Sequence, residues 1–369
     1  MLECENLKYP IRILCVFSLL DRGGAESMCM NLYRNIDKNL VQFDFVKHTD
    51  KVGEFEKEIL SLGGRIFTAP KYTAINHISY CKWWKNFLTE HPEHQIVHGH
   101  YFTISAVYLS VTKRMGRITI GHIHGMSFVG NVNNLVGNAF IRMIARSTVY
   151  RFACSKAAGK WAYRKAEFTV LNNAVDSARF AFDPARRAAM REQLHIGEDE
   201  KVIFVVANLS EVKNPLGALD IYSAIRRRNP NVRLFWAGEG GMRGPMEQKI
   251  ATEQIPGVTL LGTRSDVPDL LQAADAFMLC SFCEGLGMVA IEAQAAGLPC
   301  LLSEGIPCEA SVTDLCTLLP LGNPEAWADA YETIKDTPRR NTHAEICTAG
   351  YDVKETAEWL TNFYLNCKG

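Results

Sequence analysis

The chain has 369 residues, of which 47% are hydrophobic and 22% charged, and its formal net charge at pH 7 is zero. This length gives room for two domains, and the balanced charge gives no reason to expect a nucleic-acid partner. The longest apolar runs have the length of a strand, so any membrane contact is expected to be peripheral. The 12 cysteines follow no regular framework, and no signal-like apolar core precedes Pro10, which predicts reduced thiols in a cytoplasmic protein.

The first half of the sequence alternates short β-rich runs with helical stretches. Residues 13–20 predict the first strand, and Met28, Leu32 and Ile36 mark one face of the helix that follows it. Further strands are predicted at 43–47, 65–69, 96–98, 117–123 and 149–153. Strands that alternate with helices indicate a parallel sheet with helices on both faces.

The same alternation starts again in the second half of the chain. Strands are predicted at 202–207, 232–237, 258–261, 276–279 and 299–302, with a helix at 215–227. The sequence therefore predicts an α/β protein with two Rossmann-like domains, 1–172 and 173–349. Their parallel sheets are expected to face a central cleft at the carboxyl ends of the strands, where ligands usually bind.

A glycine pair, Gly23-Gly24, follows the first predicted strand and opens a helix. Glycines let a ligand approach the backbone, and free N–H groups at a helix start favour a phosphate or a polarised sugar oxygen. The third glycine of the dinucleotide-binding fingerprint is missing. An ordinary tight turn between strand and helix is the alternative.

An acidic segment in the second half joins a strand end to a helix start. Glu284 lies in the loop, Gly285, Leu286 and Gly287 open the helix, and Glu292 is expected about two turns into it. The glycine-rich entry offers backbone N–H groups to a diphosphate, and a carboxylate such as Glu292 suits two ribose hydroxyl donors. The alternative is a solvated helix face, but the surrounding small apolar residues predict a buried helix in which a glutamate needs a partner.

Lys213 lies in the loop after the first strand of the second half. A lysine at this strand end would point into the cleft and hold a phosphate as a point charge. A solvated loop lysine is the alternative.

Two histidine pairs, His98/His100 and His122/His124, lie at predicted strand ends, and each pair shares one face of its strand. Four histidines are compatible with a zinc site, but nothing in the sequence brings the two pairs to ligand distance. Packed structural histidines are a second possibility. The functional interpretation we favour is a polar pocket for a sugar or acceptor hydroxyl, so no metal site is predicted.

A basic region covers residues 113–165, within a longer stretch from His94 to Ala166 that has no Asp or Glu. Apolar residues at 135, 139, 141, 143 and 144 lie beside Arg142 and Arg146. A basic amphipathic helix of this kind suits an anionic membrane surface or a polyanionic acceptor. One basic face on a neutral protein is the alternative.

Together these motifs resemble the family 4 retaining glycosyltransferases of the GT-B fold, particularly bacterial members that build capsular, exopolysaccharide or O-antigen chains. The resemblance covers nearly the whole chain, and its most specific part is the Glu-x7-Glu element of Glu284 and Glu292. The other motifs that carry it are Arg22–Glu26, Met30–Arg34, Val97–His100, His122–Gly125, Asn173–Asp176, Lys213–Pro215, Ala237–Gly240, Leu261-Gly262 and Asp266-Val267.

The resemblance implies transfer of a sugar from a nucleotide diphosphate sugar, UDP-linked by preference, with retention of anomeric configuration and without metal or cofactor. The acceptor would be a growing cell-surface polysaccharide or lipid-linked oligosaccharide, at the inner face of the plasma membrane. The first domain would bind the acceptor, and a C-terminal helix within 350–369 would return to it.

The resemblance also implies residue roles. In the second domain, Glu292 would bind the ribose, Glu284 and the backbone after it the donor sugar, and Lys213 the diphosphate. In the first domain, the Gly23-Gly24 turn would close over the donor. His124 would face the sugar and acceptor, with His122 beside it.

One departure from the family pattern concerns the diphosphate. The family usually has an arginine just before the lysine loop, whereas this chain has the neutral Asn208. Arg243 or Arg264 would be the substitutes. Because this cation is missing, a catalytically silent GT-B-like partner subunit is an alternative function. A nucleotide-sugar epimerase of the same fold is the other alternative.

Overall fold

The computed structural model of the protein describes residues 10–21, 23–100, 102–124, 143–144 and 146–367. These residues divide into two compact units. Unit 1 extends to Ala174 and resumes at Val353, and unit 2 runs from Val175 to Asp352. None of the described helices is long and apolar enough to cross a membrane.

Unit 1 contains a parallel sheet of seven described strands in the order β3-β2-β1-β4-β5-β6-β7. The strands are β1 (Ile11–Val16), β2 (Val41–Lys47), β3 (Ile66–Thr68), β4 (Ile96–Gly99), β5 (Ile118–Ile123), β6 (Tyr150–Ala153) and β7 (Thr169–Val170). The helices that alternate with them are α1 (Gly24–Asn35), α2 (Glu56–Ser61), α3 (His77–Glu90), α4 (Phe102–Arg114) and α5 (Lys156–Tyr163).

Unit 2 contains a second parallel sheet, of six described strands in the order β10-β9-β8-β11-β12-β13. The strands are β8 (Lys201–Val206), β9 (Val232–Ala237), β10 (Val258–Gly262), β11 (Ala276–Leu279), β12 (Cys300–Ser303) and β13 (Cys316–Leu319). The helices are α6 (Ser177–Phe180), α7 (Pro184–Gln193), α8 (Pro215–Arg228), α9 (Arg243–Thr252), α10 (Val267–Ala273), α11 (Met288–Ala295), α12 (Pro324–Ile334) and α13 (His343–Thr348).

The last helix, α14 (Val353–Asn366), belongs to unit 1 and packs beside α1. Its buried face includes Val353, Leu360 and Tyr364, which join the same apolar cluster as Ile13 and Phe43. The other face of the sheet packs against α3 and α4. The central strands are buried on both faces, which is why they read as nearly continuous apolar runs in the sequence.

The confirmed feature is the pair of parallel sheets, and several boundaries differ from the prediction. The first strand ends at Val16, four residues before the predicted end at Leu20, and α11 begins only at Met288. Glu292 is therefore one turn into its helix rather than two. The edge strand β13 was not predicted, because four residues at a sheet edge carry too short a pattern to be distinguished from a loop.

Strand order changes direction at one place in each sheet. In unit 1 the change falls between β1 and β4, and in unit 2 between β8 and β11. The connections that leave these strands run to opposite sides, which opens a crevice at their carboxyl ends where ligands of α/β proteins usually bind. Gly23 follows β1 and His100 follows β4, whereas Lys213 follows β8 and Glu284 follows β11.

Candidate active site

The loops after β8 and β11 are tied together in unit 2. The Phe282 amide donates a hydrogen bond of 2.8 Å to the Val212 carbonyl. The Ser303 hydroxyl, from the end of β12, donates to the Ser281 carbonyl at 2.6 Å, and the Glu284 amide donates to the Gly305 carbonyl at 3.1 Å. Three neighbouring strand ends thus hold one loop in place, and that loop carries Glu284.

Lys213 and Glu284 form an ion pair across these two loops. The Lys213 ammonium lies 2.5 Å from Oε1 of Glu284, and the Ser281 hydroxyl donates to the same oxygen at 2.7 Å. Both charged side chains are mostly buried. The structure therefore brings together the two residues predicted to hold diphosphate and sugar, and it adds Ser281, which the sequence analysis did not single out.

The position of Lys213 is set by the turn that follows it. Asn214 adopts a left-handed conformation, with φ of 53°, and its side chain accepts a hydrogen bond from the Gly217 amide at the start of α8. Asparagine tolerates this conformation better than most residues, and Pro215 suits the first helical position because it needs no amide partner. The Lys-Asn-Pro sequence thus ends a short 3₁₀ turn and directs Lys213 towards Glu284.

Glu292 lies on α11 among buried neighbours such as Ile291 and Ala293. It is half-buried, and within the described part of the chain no group donates a hydrogen bond to its carboxylate. Burial raises the pKa of Glu292 to about 7, and the nearby Arg179 guanidinium only partly opposes this. The expected partner of this carboxylate is absent from the described protein groups, so both of its oxygens can accept hydrogen bonds from a ligand.

The backbone between Glu284 and α11 has an open side. Gly287 takes the left-handed conformation, with φ of 81°, which permits the sharp entry into the helix. A β-carbon at Gly285 would meet no protein atom within 4 Å. The Leu286 side chain instead packs into the core of unit 2, so only its backbone can take part in binding.

Asn208, the neutral replacement for the family arginine, is exposed at the end of β8, where its side chain accepts a hydrogen bond from the Ser210 hydroxyl at 3.1 Å. The two candidate substitutes are engaged elsewhere. Arg243 pairs with Glu239 and Glu247, and Arg264 pairs with Asp266. Neither guanidinium is uncommitted in this structure.

In unit 1, the Gly23-Gly24 turn leads directly into α1, with Gly23 as the N-cap residue. A β-carbon at Gly23 would lie 2.2 Å from Oε2 of Glu26, whereas one at Gly24 would meet nothing within 4 Å. Burial raises the pKa of Glu26, whose carboxylate lies at the first turn of the helix. A phosphate approaching Gly23 would meet this acidic side chain, so Gly24 offers the more open approach.

The two predicted histidine pairs of unit 1 lie together, which the sequence alone does not show. Parallel pairing of β4 with β5 places His98 opposite Ile120, so the two histidine pairs become neighbours across the sheet. The ring centroids of His98 and His122 are 5.4 Å apart, and Nδ1 of His100 lies 2.8 Å from Nε2 of His124. Nδ1 of His98 contacts the Tyr364 hydroxyl at 2.6 Å.

Burial keeps this histidine cluster uncharged. It lowers the pKa of His98 and His124 to about 3, and it holds the pKa values of His100 and His122 well below the usual range. Five ring nitrogens of the cluster are buried without a hydrogen-bond partner among the described residues. Nδ1 of His124 is one of them, and Nε2 already faces His100, so a ligand would reach this neutral ring only if the atoms that cover Nδ1 moved aside.

The geometry of the cluster also bears on the zinc alternative. Nitrogen atoms of His98, His100 and His122 do lie within 4.8 Å of one another. However, the rings of His98 and His100 stack at 27°, and those of His98 and His122 at 14°. Lone pairs lie in the ring planes, so these two ring pairs direct them side by side, whereas the rings of His100 and His122 are tilted by 40°. The absence of a metal stays a prediction.

The basic region 113–165 is only partly described, because residues 125–142 and 145 lie outside the described part of the chain. Ile144, predicted on the apolar face of a membrane-binding helix, is instead buried in a core cluster with Ala106 and Ala153. Lys113 donates a hydrogen bond to the Arg146 carbonyl. Ile144 is therefore a core residue and is not available to the predicted membrane-binding face.

Gly305 offers a test of the loop that holds Glu284. A β-carbon there would lie 2.4 Å from the Phe282 carbonyl and 2.6 Å from that of Ser281. Gly305→Ala is expected to displace the loop and to lower the free energy of unfolding by about 1–3 kcal/mol. It should also weaken binding of the nucleotide sugar that the resemblance implies, by about ten-fold or more. Gly244→Ala is the matched control, since a β-carbon there meets nothing within 4 Å. Thermal unfolding and ligand titration measure both effects, and equal ligand affinities in the two variants would contradict the prediction.

Comparison with known proteins identifies the class and then the family. Both units have the parallel-sheet architecture of GT-B glycosyltransferases. Among solved structures, HepE of Anabaena in complex with UDP and glucose superposes with a TM-score of 0.73 at 18% identity, covering 97% of this chain and 100% of that one. A sequence profile of the family described as glycosyl transferases group 1 matches residues 186–351.

Two relatives extend the match along the chain. EpsF of Bacillus subtilis (strain 168), a protein provisionally named as a glycosyltransferase, is 32% identical over 370 residues, which cover 96% of each chain. The UDP-Gal:alpha-D-GlcNAc-diphosphoundecaprenol alpha-1,3-galactosyltransferase of Escherichia coli is 24% identical over 328 residues, covering 82% of this chain and 84% of that one. The chain belongs to the group 1 glycosyltransferases.

Proposed function

We propose that the protein transfers a sugar from a nucleotide diphosphate sugar, preferably UDP-linked, to a growing cell-surface polysaccharide or lipid-linked oligosaccharide, with retention of configuration. The observation that carries the proposal is the ion pair of Lys213 and Glu284 at the strand-order change of unit 2. The helix that follows Glu284 in the chain carries Glu292, whose carboxylate has no hydrogen-bond donor among the described residues. Two similar proteins support the choice of donor, since one is named as a galactosyltransferase that uses UDP-Gal and the other was crystallised with UDP and glucose.

In the proposed reaction an acceptor hydroxyl oxygen attacks the anomeric carbon from the face that the leaving group departs from. The bond from that carbon to the diphosphate oxygen breaks, and the hydroxyl proton passes to the leaving diphosphate. Lys213 and the backbone amides after Glu284 stabilise the charge that the diphosphate gains, without a metal ion. Glu284 and the backbone of Gly285 hold the donor sugar, Glu292 holds the ribose, and His124 binds a sugar or acceptor hydroxyl as a neutral imidazole.

Screening nucleotide sugars for thermal stabilisation is the direct test. A ligand at 100 times its Kd stabilises the native state by about 2.7 kcal/mol, so the true donor should stand out from the panel. Transfer from that donor to a saccharide acceptor, followed by assignment of the product anomer by NMR, then tests retention. An inverted product would reject the retaining mechanism, and donor conversion without an acceptor would indicate an epimerase.

A catalytically silent partner subunit is the second candidate. It is favoured by Asn208, which is neutral where the family usually has an arginine, while Arg243 and Arg264 pair with carboxylates. Isothermal titration calorimetry separates the two proposals. Heat of binding with a UDP-sugar supports the transferase, and no binding to any nucleotide sugar supports the silent subunit.

Glu292 makes donor binding dependent on pH. Ribose hydroxyls donate to a carboxylate, and the pKa of Glu292 is raised to about 7, so the binding form accumulates as pH rises through 7. We expect donor affinity to increase about ten-fold between roughly pH 6 and pH 8. The sign is opposite for folding, because a raised folded pKa stabilises the native state at low pH and that contribution is lost as pH rises through about 7.

The matched variant for this prediction is Glu292→Gln, which keeps the shape of the side chain and removes its titration. Its donor affinity is expected to be lower at pH 8 and nearly independent of pH, as measured by calorimetry across the range. A pH profile of Glu292→Gln that parallels the wild type would show that another group controls binding.

A further inference from the structure

A pair of isoleucines on the surface of unit 1 is almost completely exposed. Ile75 is 99% exposed and Ile78 is 83% exposed, just before and within the first turn of α3. Ile78, Lys82 and Lys85 follow at helical spacing on one face of α3, whereas Tyr80, Trp84 and Phe87 on the opposite face are buried. Isoleucine is among the residues most often buried, so two adjacent exposed ones need a reason.

This exposure is built into the local structure. The Thr73 hydroxyl accepts a hydrogen bond from the Asn76 amide, and the Asn76 side chain accepts one of 2.7 Å from the Thr73 amide. The Asn76 side chain also donates to the Lys71 carbonyl at 2.9 Å. These bonds hold the turn that presents Ile75, so the side chain is directed outwards by an ordered backbone.

The surroundings of the isoleucines are positively charged. Lys71, Lys82 and Lys85 are exposed, and within the described residues none of their ammonium groups forms an ion pair. The sequence from 59 to 89 contains no Asp or Glu, although the whole chain has equal numbers of acidic and basic residues. The patch of Lys71, Ile75, Ile78, Lys82 and Lys85, called the Ile–Lys face below, therefore combines apolar side chains with local positive charge.

We infer that the Ile–Lys face docks on an anionic lipid surface. The isoleucines would enter the boundary between headgroups and acyl chains, and the lysines would contact lipid phosphates. Charge complementarity selects this partner, because a second copy of the same face would oppose lysine to lysine. The inference goes beyond glycosyl transfer, and it assigns the membrane contact to a different surface from the basic region 113–165.

Vesicle flotation with the full chain tests the inference. We expect the protein to float with phosphatidylcholine vesicles that contain about one third phosphatidylglycerol. Its binding to pure phosphatidylcholine vesicles should be weaker by about ten-fold or more. The double variant Ile75→Ser/Ile78→Ser should lose about ten-fold or more in partitioning to the anionic vesicles. Lys82→Glu/Lys85→Glu should abolish the preference for anionic lipid. Thermal unfolding should be nearly unchanged, because all four side chains are exposed.

Two controls match these variants. Val52→Ser removes another apolar side chain, 74% exposed and outside the Ile–Lys face, and should bind vesicles like the wild type. Lys156→Glu/Lys160→Glu reverses two exposed lysines of the basic region and should also retain binding. The inference is overturned if the wild type does not float with anionic vesicles, or if only the 156/160 variant loses binding. It is also overturned if the isoleucine variant changes oligomeric state in light scattering and leaves vesicle binding intact.

Discussion

Lys213→Ala is expected to lower kcat/KM for the nucleotide sugar by about two to three orders of magnitude. Removal of one charged or hydrogen-bonding group that stabilises a developing oxyanion typically has an effect of this size. The variant also removes the cation that pairs with the Glu284 carboxylate. In the wild type the Lys213 ammonium lies 2.5 Å from Oε1 of Glu284. An uncompensated carboxylate would repel the incoming diphosphate, so both KM and kcat should worsen.

Steady-state kinetics of transfer and of donor hydrolysis measure this effect. Lys201→Ala is the control, because Lys201 lies at the start of β8, the strand that precedes Lys213, and forms an ion pair with Asp336 that is more exposed. The control should keep wild-type kinetics. The double variant Lys213→Ala/Glu284→Gln should recover part of the loss in KM, since it removes the repelling charge. A value of kcat/KM for Lys213→Ala within about three-fold of wild type would remove Lys213 from the proposed site.

The second large effect is a loss of stability of unit 1 in acid. In the unfolded chain the four clustered histidines titrate near 6.5, whereas burial lowers the folded pKa of His98 and His124 to about 3 and those of His100 and His122 well below their usual range. The unfolded state therefore binds more protons. The contribution of the cluster is complete above about pH 6.5 and is lost as pH falls towards 3, by about 1.4 kcal/mol per pH unit for each histidine.

Other buried groups of unit 1 act in the same direction. Burial lowers the pKa of His48 to about 4, and the donors Arg12, His94 and Arg65 hold the pKa of Asp44 well below its usual range. Hydrogen exchange followed by mass spectrometry at several pH values isolates the response of β4 and β5 from that of unit 2. We expect protection of these strands to fall steeply below about pH 6 once the known change in intrinsic exchange rate is subtracted.

His122→Leu isolates one member of the cluster. Neither ring nitrogen of His122 has a hydrogen-bond partner among the described residues, so an apolar side chain of similar volume should be tolerated near neutral pH. The free energy of unfolding should then fall less steeply with decreasing pH, by about 1.4 kcal/mol per pH unit, the contribution of one histidine. His77→Gln, which changes an exposed ring on α3, should leave this pH dependence unchanged. An acid dependence as steep in His122→Leu as in the wild type would show that other groups cause it.

The sequence predicted the parallel sheets, the strand ends that precede Lys213 and Glu284, and the helix that carries Glu292, because alternating strands and helices leave a strong periodic signal. It did not reveal that Lys213 pairs with Glu284, since that contact depends on which strands are neighbours. The same limit applies to the histidines. Each pair was visible at a strand end, but the pairing of β4 with β5 was needed to see one cluster of four.

The exposed isoleucines are a second feature that the sequence could not predict. Ile75 and Ile78 read in the sequence as ordinary apolar residues beside Tyr80 and Trp84, and only the orientation of α3 shows which of them are buried. Ser281 and Gly305 were missed for a related reason. Their importance lies in hydrogen bonds and close backbone contacts between loops that are distant in sequence.

The contact between Lys213 and Glu284 has a consequence for which anions the resting protein can capture. The Lys213 ammonium is already neutralised by the Glu284 carboxylate, which belongs to the same chain and therefore acts at a high effective concentration. A small free anion such as chloride or acetate carries too little charge to displace it. A diphosphate has two adjacent phosphates and would make further contacts with the backbone after Glu284. It would therefore be able to displace the Glu284 carboxylate from the Lys213 ammonium. The ion pair would thus act as a threshold that rejects weak anions before any sugar is recognised.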